Sequence, residues 1–162
     1  MTLVSALHVV RPVTLEDRHQ IEQLFRANRI FGPHEVAVAL EVFDASLIPG
    51  QTDYESRGIE VDGRLAGWIC WGPTPCAQGT YDMYWIAVDP DVHGGGLGSI
   101  LVAEMERHLQ GRARMIVVET GGRKEYAATR GFYLARDYEE VARVPDFYAP
   151  GDDQVIFVKR LS

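Results

Sequence analysis

The stretch Tyr84-Trp85-Ile86-Ala87-Val88-Asp89-Pro90-Asp91-Val92-His93-Gly94-Gly95-Gly96-Leu97-Gly98-Ser99 decides how this chain is read. An apolar run through Val88 has strand character, Asp89-Pro90 marks a turn, and a glycine-dense loop leads into an amphipathic pattern that begins near Leu97. Glycine lets backbone N–H groups approach a ligand with no Cβ in the way. The helix that follows adds partial positive charge at its N-terminus. Together they predict a site for a phosphorylated ligand such as a pyrophosphate.

Spacing separates the phosphate motifs. A dinucleotide fingerprint needs G-x-G-x-x-G, but Gly96-Leu97-Gly98 runs on into Ser99, Ile100 and Leu101; a nucleoside-triphosphate loop needs a lysine, and none lies nearby. The segment His93–Gly98 instead resembles [Q/R]-x-x-G-x-[G/A], the acyl-CoA pyrophosphate loop of the GNAT family of N-acetyltransferases, with His93 where the family carries Gln or Arg. The resemblance implies that His93, Gly94, Gly95, Gly96, Leu97, Gly98 and Ser99 hold the cofactor, largely through backbone. It also implies that backbone groups of Ile86, Ala87 and Val88 pair with the pantetheine arm.

A second segment, Thr129–Tyr138, resembles the family's A-x-x-[FL]-Y-x-x-x-G-F. Tyr133 takes the tyrosine that sits close to the thioester sulfur, and Tyr138 takes the final aromatic. Asp137 replaces the glycine; Asp adopts a left-handed helix end at a cost of roughly 1 kcal/mol. Tyr126 stands where an asparagine often contacts the pantetheine arm, so that contact is lost or altered.

With 162 residues, 46% of them hydrophobic and 24% charged, the chain suits one domain, 1–162, with a real core. No apolar run approaches the ~18–20 residues of a membrane span. No basic segment followed by an apolar signal core is present either. Cys70 and Cys76 form neither a disulfide framework nor a metal cluster, which predicts a reduced, cytoplasmic protein. A net charge of −7 argues against nucleic acid as a partner and is mildly compatible with cationic substrates.

The local signals give the order β-α-α-β-β-β-α-β-α-β-β. His8–Arg11 reads as a strand, and Thr14 caps a helix carrying Ile21, Leu24 and Phe25. Gly32-Pro33 opens a second helix bearing Val36, Leu40, Phe43 and Leu47 on one face. Asp62-Gly63 joins strands Gly58–Val61 and Leu65–Trp71 as a hairpin. Tyr81–Val88 enters the glycine loop, and the next helix turns Leu97, Ile100, Leu101, Met105 and Leu109 inward. Met115–Thr120 is apolar enough for a strand buried on both faces. A short helix covers roughly Lys124–Arg136, and Glu139–Val144 with Val155–Lys159 closes the chain as a hairpin. The strands flanking the glycine-loop helix should be parallel. The expected fold is mixed α/β: a mostly antiparallel sheet of about seven strands flanked by helices, GNAT-like, with its central strands splayed for the pantetheine arm.

From this resemblance follows acetyl transfer from acetyl-CoA, without a metal, to an amine on a small molecule or peptide. Tyr133 is the candidate general acid for the leaving thiolate, being protonated at neutral pH. Glu119, a lone carboxylate whose pKa burial would raise, is the candidate base for the ammonium proton, and Tyr84 could order a bridging water. Asp82 is a weaker candidate. Phe31, and Phe147 with Tyr148 in an aromatic, acidic loop Pro145–Asp153, border the expected acceptor cleft. Trp68 and Trp71 lie on opposite faces of their strand, so at least one should be core. A non-catalytic acyl-CoA-binding module and a different acyl donor are the alternatives. A homodimer is compatible with the reading.

Overall fold

Thirteen short elements follow one another in the computed structural model, which describes residues 7–92 and 96–162. They are β1 (His8–Arg11), a 3₁₀ turn (Leu15–Asp17), α1 (Arg18–Ala27), α2 (Pro33–Ser46), β2 (Glu55–Val61), β3 (Arg64–Pro73) and β4 (Thr80–Val88). Then come α3 (Leu97–Leu109), β5 (Met115–Gly121), a second 3₁₀ turn (Lys124–Tyr126), α4 (Ala127–Leu134), β6 (Glu139–Ala149) and β7 (Asp152–Arg160). The seven strands are ordered β1-β2-β3-β4-β5-β7-β6. β4 and β5, which flank α3 in the sequence, run parallel, whereas the β1–β2, β2–β3, β5–β7 and β6–β7 ladders are antiparallel.

The chain divides into two compact units, Met1–Gly72 with Trp85–His108, and Pro73–Tyr84 with Leu109–Ser162. In the first, the inward stripes of α1 and α2 bury Ile21, Leu24, Phe25, Val36, Ala39, Leu40 and Phe43 around Trp68. Phe25 and Phe43 meet the Trp68 ring edge-on at 5.9 and 5.8 Å, an arrangement that the ring quadrupoles favour. Trp68 and Trp71 are both fully buried, and each indole N–H is used: Trp68 donates to Ser56 Oγ and Trp71 to Glu55 Oε2. Asp17 ties the start of α1 to β1, accepting from the two terminal nitrogens of the Arg11 guanidinium and from the Thr14 N–H. Asp62 and Gly63 both take positive φ, as the tight hairpin turn between β2 and β3 demands.

In the second unit, β5 pairs with β7 along its whole length while β6 forms a hairpin with β7. α4 ends as Asp137 predicts: its φ is +65°, and the Tyr138 N–H donates back to the Tyr133 carbonyl at 3.1 Å, closing a Schellman-type cap.

Some expectations change. Met115–Thr120 is not buried on both faces. Ile116, Val118 and Thr120 are buried, whereas Met115 and Val117 are half-buried and Glu119 is exposed. In α3, Val102 is buried and Ile100 only half-buried, a rotation of the inward stripe toward the following turn. The closing hairpin is longer than its apolar pattern suggested, because β6 runs through Pro145, Phe147 and Tyr148 rather than ending before them. Cys70 is buried, and Cys76 is exposed with a φ of +62°. His93, Gly94 and Gly95 lie outside the described residues.

Candidate functional site

The first unit carries the C-terminal half of β4 and the start of α3. Gly96 has a φ of +59°, in the left-handed region that only glycine enters freely, and among the described residues beyond its chain neighbours nothing approaches within 4 Å of where its Cβ would sit. Its carbonyl accepts from the Ile100 N–H at 3.0 Å, so α3 is wound from that point. Helix geometry leaves the N–H groups of Leu97, Gly98 and Ser99 without carbonyls inside the helix. These donors, with the helix dipole behind them, suit phosphate oxygens. Leu97 itself is buried, so it can serve only through its backbone, and Leu101, Val102 and Met105 fix the helix from beneath.

Upstream, Trp85 packs edge-on against Phe25 at 5.5 Å, and Phe31 joins the same cluster at 5.1 Å from Phe25. Ile86 and Val88 are half-buried and Ala87 is buried. Asn28, just past the end of α1, donates its side-chain amide to the Leu24 and Val88 carbonyls at 2.7 and 2.9 Å. One of the backbone groups expected to face the pantetheine arm is therefore already engaged. An Asn at a helix C-terminus is a recognisable cap in sequence; its second bond, 60 residues away, is not.

The second unit carries the acid–base candidates. The β4–β5 register runs from Thr80↔Met115 to Met83↔Val118, so Tyr84 and Glu119 each lie one residue beyond its last pair. Tyr84 is half-buried. Glu119 is not the lone carboxylate expected: Gln154 Nε2 donates to its Oε2 at 2.9 Å. On the β5–β7 ladder Glu119 faces Ile156, while Val118 faces Phe157. Side chains alternate along a strand, so Glu119 and Phe157 point to opposite sides of this sheet.

Tyr133 stacks on the Phe157 side, 5.7 Å from that ring and 5.8 Å from Tyr138. It is only 3% exposed, and burial pushes its phenol well above the ordinary tyrosine value. The candidate proton donor and the candidate proton acceptor thus lie on opposite faces of one ladder.

Phe147 and Tyr148 occupy a bulge in β6. Val144 pairs with Gln154 and Ala149 with Asp152, leaving the four residues between Val144 and Ala149 opposite Asp153 alone. Asp146 holds this bulge with a φ of +56°; its N–H donates to Asp153 Oδ1 at 3.0 Å and its Oδ1 accepts from the Gly151 N–H at 2.7 Å. These two aspartates therefore fold the segment rather than standing free for a cation. The Phe147 and Tyr148 rings meet edge-on at 5.0 Å, and both remain about half exposed.

The Tyr148 phenol is pushed up to about 12, first by burial and then by the Glu119 charge, while a hydrogen bond with Gln154 pulls it back. Beneath them, a Cβ on Gly121 would fall 2.7 Å from the Tyr126 ring, so the close seating of buried Tyr126 requires glycine there. Asp82 accepts a hydrogen bond from Thr74 Oγ1 at 2.7 Å. Among the described residues, no group of three or more His, Cys, Asp or Glu side chains could hold a metal ion, and no helix is long and apolar enough to cross a membrane.

Comparison with known proteins places this geometry among relatives. The family model described as Acetyltransferase (GNAT) family matches residues 19–138. A GNAT-family protein from Desulfovibrio desulfuricans, solved as a crystal structure, superposes with a TM-score of 0.91 at 34% identity, over 96% of this chain and 100% of its own. The Salmonella typhimurium protein yncA, solved with its cofactor acetyl-CoA, superposes with a TM-score of 0.73 at 15% identity, over 96% of this chain and 94% of its own. An uncharacterized N-acetyltransferase of Methanocaldococcus jannaschii is 26% identical over 105 residues, 62% of this chain, and the chain spans 63% of that relative's length.

Proposed function

The chain belongs to the acetyltransferase (GNAT) family, and from that premise we propose that it moves an acetyl group from acetyl-CoA directly to an amine in the cytoplasm, as one catalytic domain. The observation that carries this reading is the junction of β4 with α3. Gly96 in the left-handed region and the first-turn N–H groups of α3 form a cradle of donors at the start of the helix. That cradle fits a pyrophosphate, and the strand leading into it supplies backbone for the pantetheine arm at Ile86 and Ala87.

The thioester, when bound, supplies an activated acetyl carbonyl and a thiolate leaving group. The chain's own residues do the rest. A backbone N–H near Ala87 or Val88 stabilises negative charge developing on the carbonyl oxygen. Tyr133, kept protonated by burial, gives its proton to the departing sulfur. Glu119, on the opposite face of the β5–β7 ladder, takes the proton from the acceptor's ammonium, directly or through a water ordered by Tyr84, and so frees the lone pair of the amine that attacks. On the second unit, Phe147 and Tyr148 supply an apolar wall for the acceptor.

Calorimetric titration with acetyl-CoA and release of free CoA thiol with an amine panel test the proposal together. Wild type should bind acetyl-CoA and release thiol only when an amine is present. Gly96→Val, strained at positive φ, should stay folded and bind at least tenfold more weakly, equivalent to ~1.4 kcal/mol. Unchanged affinity in a folded Gly96→Val protein removes the phosphate-cradle reading. Binding without thiol release from any amine identifies a non-catalytic acyl-CoA module.

A further inference from the structure

Resting on Glu119 as the proton acceptor, we propose that Gln154 is a positioning residue whose side-chain amide locks the Glu119 carboxylate and the Tyr148 phenol into one acceptor-side unit. Gln154 lies on β7 diagonally across from Glu119: Glu119 pairs with Ile156, and Gln154 is two residues along the same face. Its side chain is buried with 6% exposure, and Nε2 reaches Glu119 Oε2 at 2.9 Å. Gln154 also draws the Tyr148 phenol downward against the effect of burial. A buried primary amide has two N–H donors to satisfy, and the Glu119 carboxylate takes one of them.

The bulge in β6 makes this contact available. Regular pairing would alternate residues 145–148 across the strand, but the Asp146 and Asp153 hydrogen bonds compress them opposite one β7 residue. Within the bulge, which begins beside the Val144–Gln154 pair, Phe147 braces the Tyr148 ring edge-on. An exposed carboxylate on a strand otherwise samples several rotamers. Donation from a buried amide holds Glu119 in one of them, beside an aromatic ring that an amine's alkyl portion can contact. The unit therefore selects acceptors that present an amine next to an apolar segment.

The test uses the full chain, acetyl-CoA, and n-butylamine, spermidine, kanamycin and an alanine-initiated peptide as acceptors. Gln154→Met keeps the shape and removes the donors. It should lower kcat about tenfold, the size of effect expected from a misplaced base, with acetyl-CoA affinity and Tm unchanged. In a Glu119→Gln background the same change should cost less than about twofold, since a coupled pair is non-additive. Tyr148→Phe, half exposed and tolerant, should raise the KM for the amine more than it lowers kcat.

The Gln154 side-chain amide signal, assigned by its loss in Gln154→Met, should shift in both Glu119→Gln and Tyr148→Phe proteins without any acceptor. Equal fractional losses in the two backgrounds, or an amide signal indifferent to both partners, overturns the proposal. Turnover absent with every amine overturns the acetyl-transfer reading instead, and the amide shifts tell the two failures apart.

Discussion

Tyr133 is sealed against Phe132, Tyr138 and Phe157, and burial alone keeps its phenol protonated far into the alkaline range. A proton donor of that kind is present at every working pH, so activity should not fall as pH climbs toward the ordinary tyrosine range. Tyr133→Phe keeps the ring and deletes the hydroxyl. It should lower kcat roughly 10²-fold while acetyl-CoA affinity stays nearly constant, and steady-state rates with calorimetry check this. Burial also sets a stability trend. In the unfolded chain the phenol ionises near ~10, whereas in the folded chain it holds its proton to higher pH. Unfolding therefore releases a proton above that point, and stability falls as pH rises through the window between the two values. Melting temperature should decline from about pH 10 upward, and the decline should be shallower in Tyr133→Phe. A kcat equal to wild type at all pH values would return Tyr133 to a packing role.

The bulge in β6 is the element on which the acceptor side depends, and Asp146 is its keystone. Asp146→Ala removes the acceptor for the Gly151 N–H and places alanine at positive φ. Together these should cost about 1–2 kcal/mol in urea denaturation and raise the KM for the amine. Asp146→Asn keeps both the acceptor oxygen and the tolerance of left-handed backbone, so it should be close to neutral. This element also marks where sequence reading ends. Periodicity and turn chemistry locate α1, α2, the Asp62-Gly63 hairpin and the parallel pair flanking α3, because each depends on residues close in sequence. The Asp137 cap was legible for the same reason. The run Pro145–Tyr148 reads as a loop, since proline and aspartate within it argue against a strand, and only pairing with β7 turns it into a bulged one. Gln154 carried no signal at all: its importance comes from a diagonal neighbour 35 positions earlier. Glu119 stands out in the sequence as a carboxylate in an apolar strand, but its partner and its exposure depend on which face β5 turns outward.

At the scale of the whole molecule, ligand binding and folding are one equilibrium. If the Gly96 cradle and α3 bind acetyl-CoA only when folded, acetyl-CoA at a hundred times its Kd should add about 2.7 kcal/mol of stability. For a chain of this length each kilocalorie raises Tm by ~2–4 °C, so thermal melts should shift upward by ~5–11 °C. Free CoA, which keeps the pyrophosphate, should give most of that shift. Gly96→Val should lose most of it, whereas Gln154→Met should retain it, separating the cofactor side of the site from the acceptor side. A melt insensitive to CoA and acetyl-CoA alike would contradict binding to the native fold.

The two cysteines have a practical consequence for measuring this chemistry. The Cys70 sulfur is buried and its ionisation is driven upward by its surroundings, whereas Cys76 lies exposed in the turn between β3 and β4. A disulfide reagent that counts liberated CoA will therefore first consume one sulfhydryl per native chain, a stoichiometric blank rather than a product. Cys76→Asn, suited to the left-handed backbone at that position, silences the blank. The remaining sulfur then becomes a chromogenic clock for unfolding, reacting only as its strand opens.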